Sequence, residues 1–329
     1  DTWMEPARKS IPEFEIPYAC YVIVDHYPVP DAVTSQVQNA HGVIAMSKWA
    51  QNELQKEGMR PFYIPHGVHT ENFYPMPEER AGNLSIEVET LDSGVEEVNT
   101  QDTTLFGMVA ANHGDRKNIP NHMEAFKMYL ETVDEDALLY MHTEPNSREG
   151  YNLEKIRKEL DIPASSLVWS RKEDYGEVGD EYLNTLYNAI DVLLNCSFGE
   201  SWGLTLTEAQ AAGTPVICTN FSSMPEQLGV EPDKTGLVEE TKYENVLKAP
   251  HGVLVEPSVG LFREKVSSRQ YICSPDDIFK AMWWYTSHPD LMEQDGEKAH
   301  QYVNERYDWE DCVIPQFEEM FDVLEVTVA

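Results

Sequence analysis

Between Leu105 and Cys218 the chain repeats one unit: a short β-branched or aliphatic run, then a longer stretch with apolar residues on one face. The runs fall at 105–110, 137–142, 167–170, 191–196 and 215–218, and helical stretches are expected at 121–133, 152–160, 182–189 and 204–212. In the first helix Met123, Phe126, Leu130 and Val133 recur at spacings of three and four, which puts them on one face. Strands that alternate with amphipathic helices must lie parallel, because each helix returns the chain to the same edge. A doubly wound domain is therefore expected.

A shorter series of the same kind precedes it. Tyr18–Val24 and Gly42–Met46 read as buried strands, Ser47–Glu57 as a helix, and Pro61–Pro65 as a strand ending at His66-Gly67. With 329 residues the chain has room for two such domains. The expected division is 1–76 for the late part of a first domain, 77–103 for an acidic linker, 104–300 for a second domain, and 301–329 for a helical tail. Helices are also expected at 275–284 and 294–307. The chain opens on Asp1 rather than Met, and the first domain is expected to be incomplete, without its opening strands.

Charge narrows the partners. Against 24 Lys and Arg stand 58 Asp and Glu, a formal net charge of -34. A field of that sign repels nucleic acid and anionic lipid, so neither is expected as a partner. Hydrophobic residues at 41% still suffice for packed cores, and the acidity suggests a folded protein of a salt-rich, halophilic cytoplasm. Five widely spaced cysteines read as reduced core residues, which also fits a cytoplasmic protein. No apolar run is long enough for a transmembrane helix, and a peripheral position on a membrane is compatible with that.

The chemistry concentrates between two of the expected strands, in SFGESWGLTLTEAQAAGTP, residues 197–215. Gly199 and Gly203 let backbone approach a ligand closely, and the free amides of Ser201, Trp202, Gly203, Leu204 and Thr205 at a helix start suit an anion. Glu200 before the helix and Glu208 on it can accept hydrogen bonds from sugar hydroxyls. A second segment, FGMVAANHGDRKN at 106–118, ends a strand in a small-residue turn followed by two cations, Arg116 and Lys117. Asp134-Glu135-Asp136 has the D-x-D form of some metal-dependent transferases, but in so acidic a chain it reads as a turn. His66 and His69 without a third ligand make a poor metal site.

These residues together resemble the donor-site signature of family 4 retaining glycosyltransferases. The resemblance implies a GT-B architecture, two Rossmann-like domains facing a cleft. It implies that Glu200 contacts the transferred sugar, that Glu208 holds the nucleotide ribose, and that Lys117 binds the diphosphate. The family's usual Arg stands five positions before that Lys, where this chain has Asn112; Asn112 and Arg116 are both donor-binding candidates by that position, with Arg116 the candidate replacement for the cation. IPHGVHTENFYP at 64–75 resembles the segment leaving the family's first domain, Ser47 resembles the serine before its helix, and His26 is the candidate counterpart of its acceptor-side histidine. The implied activity is retaining transfer of a hexose from a nucleotide-diphosphate sugar to a glycan, lipid-linked or small-molecule acceptor, with no metal or other cofactor. A GT-B nucleotide-sugar epimerase and a catalytically silent partner protein are the alternatives.

Overall fold

The computed structural model describes residues 18–77, 85–90, 94–99, 103–170, 178–231 and 238–324. The parts of the 77–103 stretch and of the 301–329 tail beyond these ranges lie outside the described residues, as do residues 1–17.

In the first unit, β1 (Ala19–Val22), β2 (Gly42–Ala45) and β3 (Phe62–Tyr63) form a parallel sheet in chain order. A short helix α1 (Asp31–Val37), which starts directly after Pro30, joins the first two. Helix α2 (Lys48–Lys56) starts where Ser47 caps it, the hydroxyl accepting from the Ala50 amide at 3.1 Å. Ala50 and Leu54 on its inner face pack with Val22, Val24 and Ala45.

The second unit is built on a ten-stranded sheet. Its six parallel strands are β6 (Leu105–Val109), β7 (Leu138–His142), β8 (Leu167–Trp169), β9 (Val192–Asn195), β10 (Val216–Thr219) and β13 (Gly252–Val255). Their spatial order is β8-β7-β6-β9-β10-β13, the doubly wound 3-2-1-4-5-6 arrangement. The strands are buried because α3 (Ile119–Thr132), α4 (Leu153–Glu159), α5 (Asp180–Ala189) and α6 (Leu204–Ala211) cover them. Met123 and Phe126 of α3 are fully buried beside Phe106, as their spacing requires. Chain order reverses between β6 and β9, and the crevice at their carboxyl ends is where such folds take ligands.

Sequence reading missed several strands. Within 77–103, β4 (Ser85–Thr90) and β5 (Gly94–Asn99) form an antiparallel hairpin that extends the sheet beyond β8. Ile86 and Val88 alternate with Glu87 and Glu89 there, a period-two signal masked by the density of acids. At the other edge β12 (Val246–Ala249) runs antiparallel to β13, and β11 (Glu239–Glu240) antiparallel to β12. After β13 the chain makes a separate hairpin, β14 (Val259–Arg263) and β15 (Ser268–Ile272).

The carboxyl-terminal part returns to the first unit. Helices α8 (Pro275–Thr286) and α9 (Pro289–Arg306) pack on the second, and a π-helical turn at Trp309–Val313 then leads into α10 (Ile314–Val323). There Val313 and Met320 share a core with Ile44 and Ile64. A Cβ at Gly67 would collide with the Trp309 ring, so a side chain at 67 would push the tail off. The described part of the 301–329 tail is thus part of the first unit's packing as well as a helical end.

Candidate functional site

A cleft of about 990 Å³ opens at the crevice between β6 and β9 and is walled on its far side by the first unit. Its size falls in the range of small-molecule sites. From the first unit come Ile23, Asp25, His26, Met46 and His66; the second contributes the turn after β6, the end of β7, and the loop 200–205.

Glu200 is the centre of charge. Its carboxylate is buried and accepts from Lys117 Nζ at 2.7 Å on Oε1 and from Arg116 Nη1 at 2.6 Å on Oε2. Burial pushes the Glu200 carboxyl up, but the charges of Lys117 and Arg116 outweigh it and hold it below the usual range. The same pairing raises the Arg116 guanidinium against the effect of its own burial, so it stays charged. Two cations against one carboxylate leave the cluster net positive, a local reversal of the chain's acidity.

The cluster is held by backbone on every side. Arg116 also donates to the Gly199 carbonyl at 3.0 Å, and the Phe198 amide donates to the Arg116 carbonyl at 2.8 Å. Asn118, in the left-handed region at φ 55°, donates to the Cys196 carbonyl at 3.0 Å and so ties this turn to the end of β9. The Glu200 amide donates to Ser222 Oγ at 3.0 Å, and Ser223 Oγ donates to the carbonyls of Glu200 and Trp202 at 2.9 and 2.7 Å. Such bracing fixes the charges in place before any ligand arrives, as preorganised electrostatic sites require.

Gly203 precedes α6 at φ +101°, a conformation an L side chain would resist. It turns the chain into α6, whose first amides have no partner within the helix, and Ser201, Trp202, Gly203, Leu204 and Thr205 all line the cleft wall. The Trp202 side chain is buried and meets the Tyr307 ring edge-on at 4.9 Å, so its indole packs the loop.

Asn112 lines the cleft, but its side chain is committed to structure. Nδ2 donates to the carbonyls of Glu144 and Tyr151 at 2.9 and 2.8 Å, and Oδ1 accepts from the Tyr151 amide at 2.8 Å. Arg116, four residues later, is the residue whose guanidinium reaches Glu200. Glu208 is the one candidate that does not line the cleft. It accepts from the buried Tyr187 hydroxyl at 2.7 Å, and burial raises its carboxyl despite that bond.

His26 lies in the opposite wall, with Nδ1 2.6 Å from Asp25 Oδ1. With the proton on Nδ1, the other ring nitrogen is an acceptor. A Cβ at Gly199 would collide with the Asp25 carbonyl, so the two walls meet at this glycine. His66, unremarkable as a loop residue in the sequence, also faces the cleft; burial holds its imidazole below the usual range, against a hydrogen bond with the Gly67 carbonyl at 2.9 Å. His142 and Thr143, at the end of β7, complete the wall. Each of these sits at the carboxyl end of a parallel strand, the one signal that would have found them.

Among the described residues no group of three or more His, Cys, Asp or Glu is arranged to hold a metal ion. Asp134 and Asp136 occupy the turn between α3 and β7, where Asp134 Oδ1 accepts from the Asp136 amide at 3.1 Å, and neither lines the cleft.

Comparison with known proteins bears on the fold and the family. Residues 96–249 match the family model described as Glycosyl transferases group 1. The chain is 35% identical over 95 residues to the O-antigen chain mannosyltransferase B of Escherichia coli, 29% of this chain and 20% of that protein. It is 41% identical over 61 residues to the D-inositol 3-phosphate glycosyltransferase of Streptomyces scabiei, 18% of this chain and 13% of that protein. The matches therefore span one fifth or less of these relatives' length. Among solved structures, HepE of Anabaena in complex with UDP-glucose superposes with a TM-score of 0.66 at 13% identity, over 97% of this chain and 75% of that one. Sucrose-phosphate synthase of Thermosynechococcus elongatus gives 0.62 at 19% identity, over 88% of this chain and 60% of that one. The fold is thus GT-B, and within it residues 96–249 match the Glycosyl transferases group 1 model.

Proposed function

We propose that the chain is a retaining glycosyltransferase of the family 4 kind, which moves a hexose from a nucleotide-diphosphate sugar to a glycan, lipid-linked or small-molecule acceptor. The observation that carries this reading is the convergence of Arg116 and Lys117 on Glu200, within a cleft that the start of α6 also lines. Departure of a nucleoside diphosphate accumulates charge on its terminal phosphate, and fixed cations with helix-start amides lower that barrier.

The diphosphate takes over the two cations from Glu200, and the carboxylate so released accepts from hydroxyls of the sugar. The glycosidic bond to the diphosphate oxygen breaks as the acceptor oxygen approaches from the same face. A non-bridging phosphate oxygen takes the acceptor proton, so no enzyme nucleophile takes part. Lys117, Arg116 and the amides neutralise the leaving group, a role that in other transferases falls to a divalent ion. Ser201, Leu204 and Thr205 contact sugar and phosphate through backbone. Glu208 takes the ribose hydroxyls after turning from Tyr187, and His26, oriented by Asp25, faces the acceptor. The solved complex of HepE with UDP-glucose supports a nucleotide-sugar donor.

Arg116 also speaks against a silent partner protein, since it supplies the second cation that Asn112 does not. The five free cysteines suit a reducing compartment, and we place the reaction in the cytoplasm. No helix among the described residues is long and apolar enough to cross a membrane.

The test is product analysis with a panel of nucleotide sugars and acceptors. A new glycosidic bond with the donor's anomeric configuration, formed in the presence of a chelator, is the expected result. Release of an epimerised free sugar, or dependence on a divalent ion, would contradict it.

A further inference from the structure

The hairpin β14–β15 belongs to neither wall of the cleft, yet it is anchored to both. On the first unit, Tyr27 and Arg269 exchange backbone hydrogen bonds at 2.9 and 2.7 Å, next to His26. On the second, the Tyr271 amide donates to the Phe198 carbonyl at 3.0 Å, and Arg263 reaches the turn that carries the cations. Its guanidinium binds Asp115 through both arms: Nη1 donates to Oδ2 at 2.8 Å and Nη2 to Oδ1 at 2.7 Å. Nε donates to Gln270 Oε1 at 2.9 Å, and the guanidinium lies 5.5 Å from the centre of the Phe198 ring.

Asp115 is the residue immediately before Arg116 and Lys117. A carboxylate there would work against binding a diphosphate, since it adds negative charge to the turn whose cations receive it. Across a partly solvated distance of about 8 Å, one unit charge changes an anion's binding by roughly an order of magnitude. The Arg263 fork both cancels that charge and fixes the turn's first residue, a geometry Lys cannot reproduce. Hydrogen bonds from Arg263 hold the Asp115 carboxyl below its usual range against partial burial, in keeping with a formed pair.

We propose that Arg263 is a positioning residue of the donor site: by taking up the Asp115 carboxylate it keeps the turn Asp115–Lys117 positive and aimed at the diphosphate. The inference rests on the donor-site reading above. It assigns the hairpin a part in the reaction although Arg263 itself does not line the cleft.

Calorimetric titration with UDP, GDP and ADP, each beside its monophosphate, tests it. For the nucleotide the wild-type chain binds, Arg263→Ala should weaken the diphosphate roughly tenfold and the monophosphate about twofold or less. Adding Asp115→Asn to Arg263→Ala should restore most of the lost affinity, an outcome that packing alone would not give. Arg263→Lys, which keeps the charge without the fork, should fall between wild type and Arg263→Ala. Wild-type affinity in Arg263→Ala, equal losses for diphosphate and monophosphate, or no recovery in the double variant would overturn this inference alone. Failure of the wild-type chain to bind any of the diphosphates would overturn the donor-site reading, and this inference with it.

Discussion

The two walls of the cleft are built from the same strand-helix grammar and differ in how they hold charge. On the second unit, two cations and a buried carboxylate are locked together by backbone contacts with the ends of β6 and β9. On the first, His26, Asp25 and His66 lie on loops after short strands, and the wall's position depends on distant segments: the returning tail with Trp309, and the β14–β15 hairpin at Tyr27. A rigid charged wall suits a donor whose diphosphate is the same in every turnover. A wall set by long-range packing suits an acceptor that must enter, be positioned and leave.

If that division is right, the largest effect falls on the cations. Lys117→Ala should lower kcat by roughly 10²-fold or more with a smaller loss in donor affinity, since its charge matters most as the leaving group forms. Steady-state kinetics with a near wild-type kcat would break the contrast, because the second unit's wall would then have no catalytic share. A smaller effect is expected opposite. His26→Ala should lower kcat/KM for the acceptor by roughly tenfold while leaving the donor's Kd in place, the cost of a lost positioning contact. A change in donor affinity of the same size would move His26 to the other side of the division.

The smallest effect concerns the junction between the units. Glu226 of α7 (Met224–Gln227) is buried and accepts from the Lys48 amide and the Tyr63 hydroxyl, both at 2.6 Å, so it joins the first unit to the second. Burial pushes its carboxyl up to about 7, against those two hydrogen bonds and the Lys48 charge, with Glu231 adding to the rise. A raised carboxyl binds more protons in the native than in the unfolded state. Its contribution to stability is therefore present below the ordinary carboxylate range and lost as the pH rises through about 7. Melting curves from about pH 5 to 8 should fall more steeply for wild type than for Glu226→Gln, which cannot titrate. Parallel curves would remove Glu226 as the reason.

How much of this was legible follows from where the signals lie. The parallel core could be read because each strand is a continuous apolar run and each helix shows one apolar face, so β6 to β10 and α3 to α6 fall close to their expected spans. Arg116 and Lys117 lie 84 and 83 residues before Glu200, yet the segments could be paired because both resemble parts of one donor-site signature; the structure sets each after a strand next to the point where strand order reverses. The β4–β5 hairpin was hidden by acids on alternate positions. Trp309 and Val313 carry no local sign that they pack on the first unit, since that contact depends on the whole chain's path. Asn112 shows the limit of a motif: position alone marks it as a ligand residue, and only its three hydrogen bonds to the 144–151 segment reveal a structural task.

The central claim is that Glu200 and its two cations form the site that divides a nucleotide sugar into leaving group and transferred sugar. It is tested most directly by calorimetry of Glu200→Ala against wild type, with the intact donor and the free nucleoside diphosphate as ligands. The account predicts that the variant binds the intact donor about tenfold or more weakly, because the sugar loses a charged hydrogen-bond acceptor. It should bind the free diphosphate as well as wild type or better, because Arg116 and Lys117 no longer have to leave Glu200 to meet it. Equal losses for both ligands, or a wild-type chain that binds neither, would contradict it.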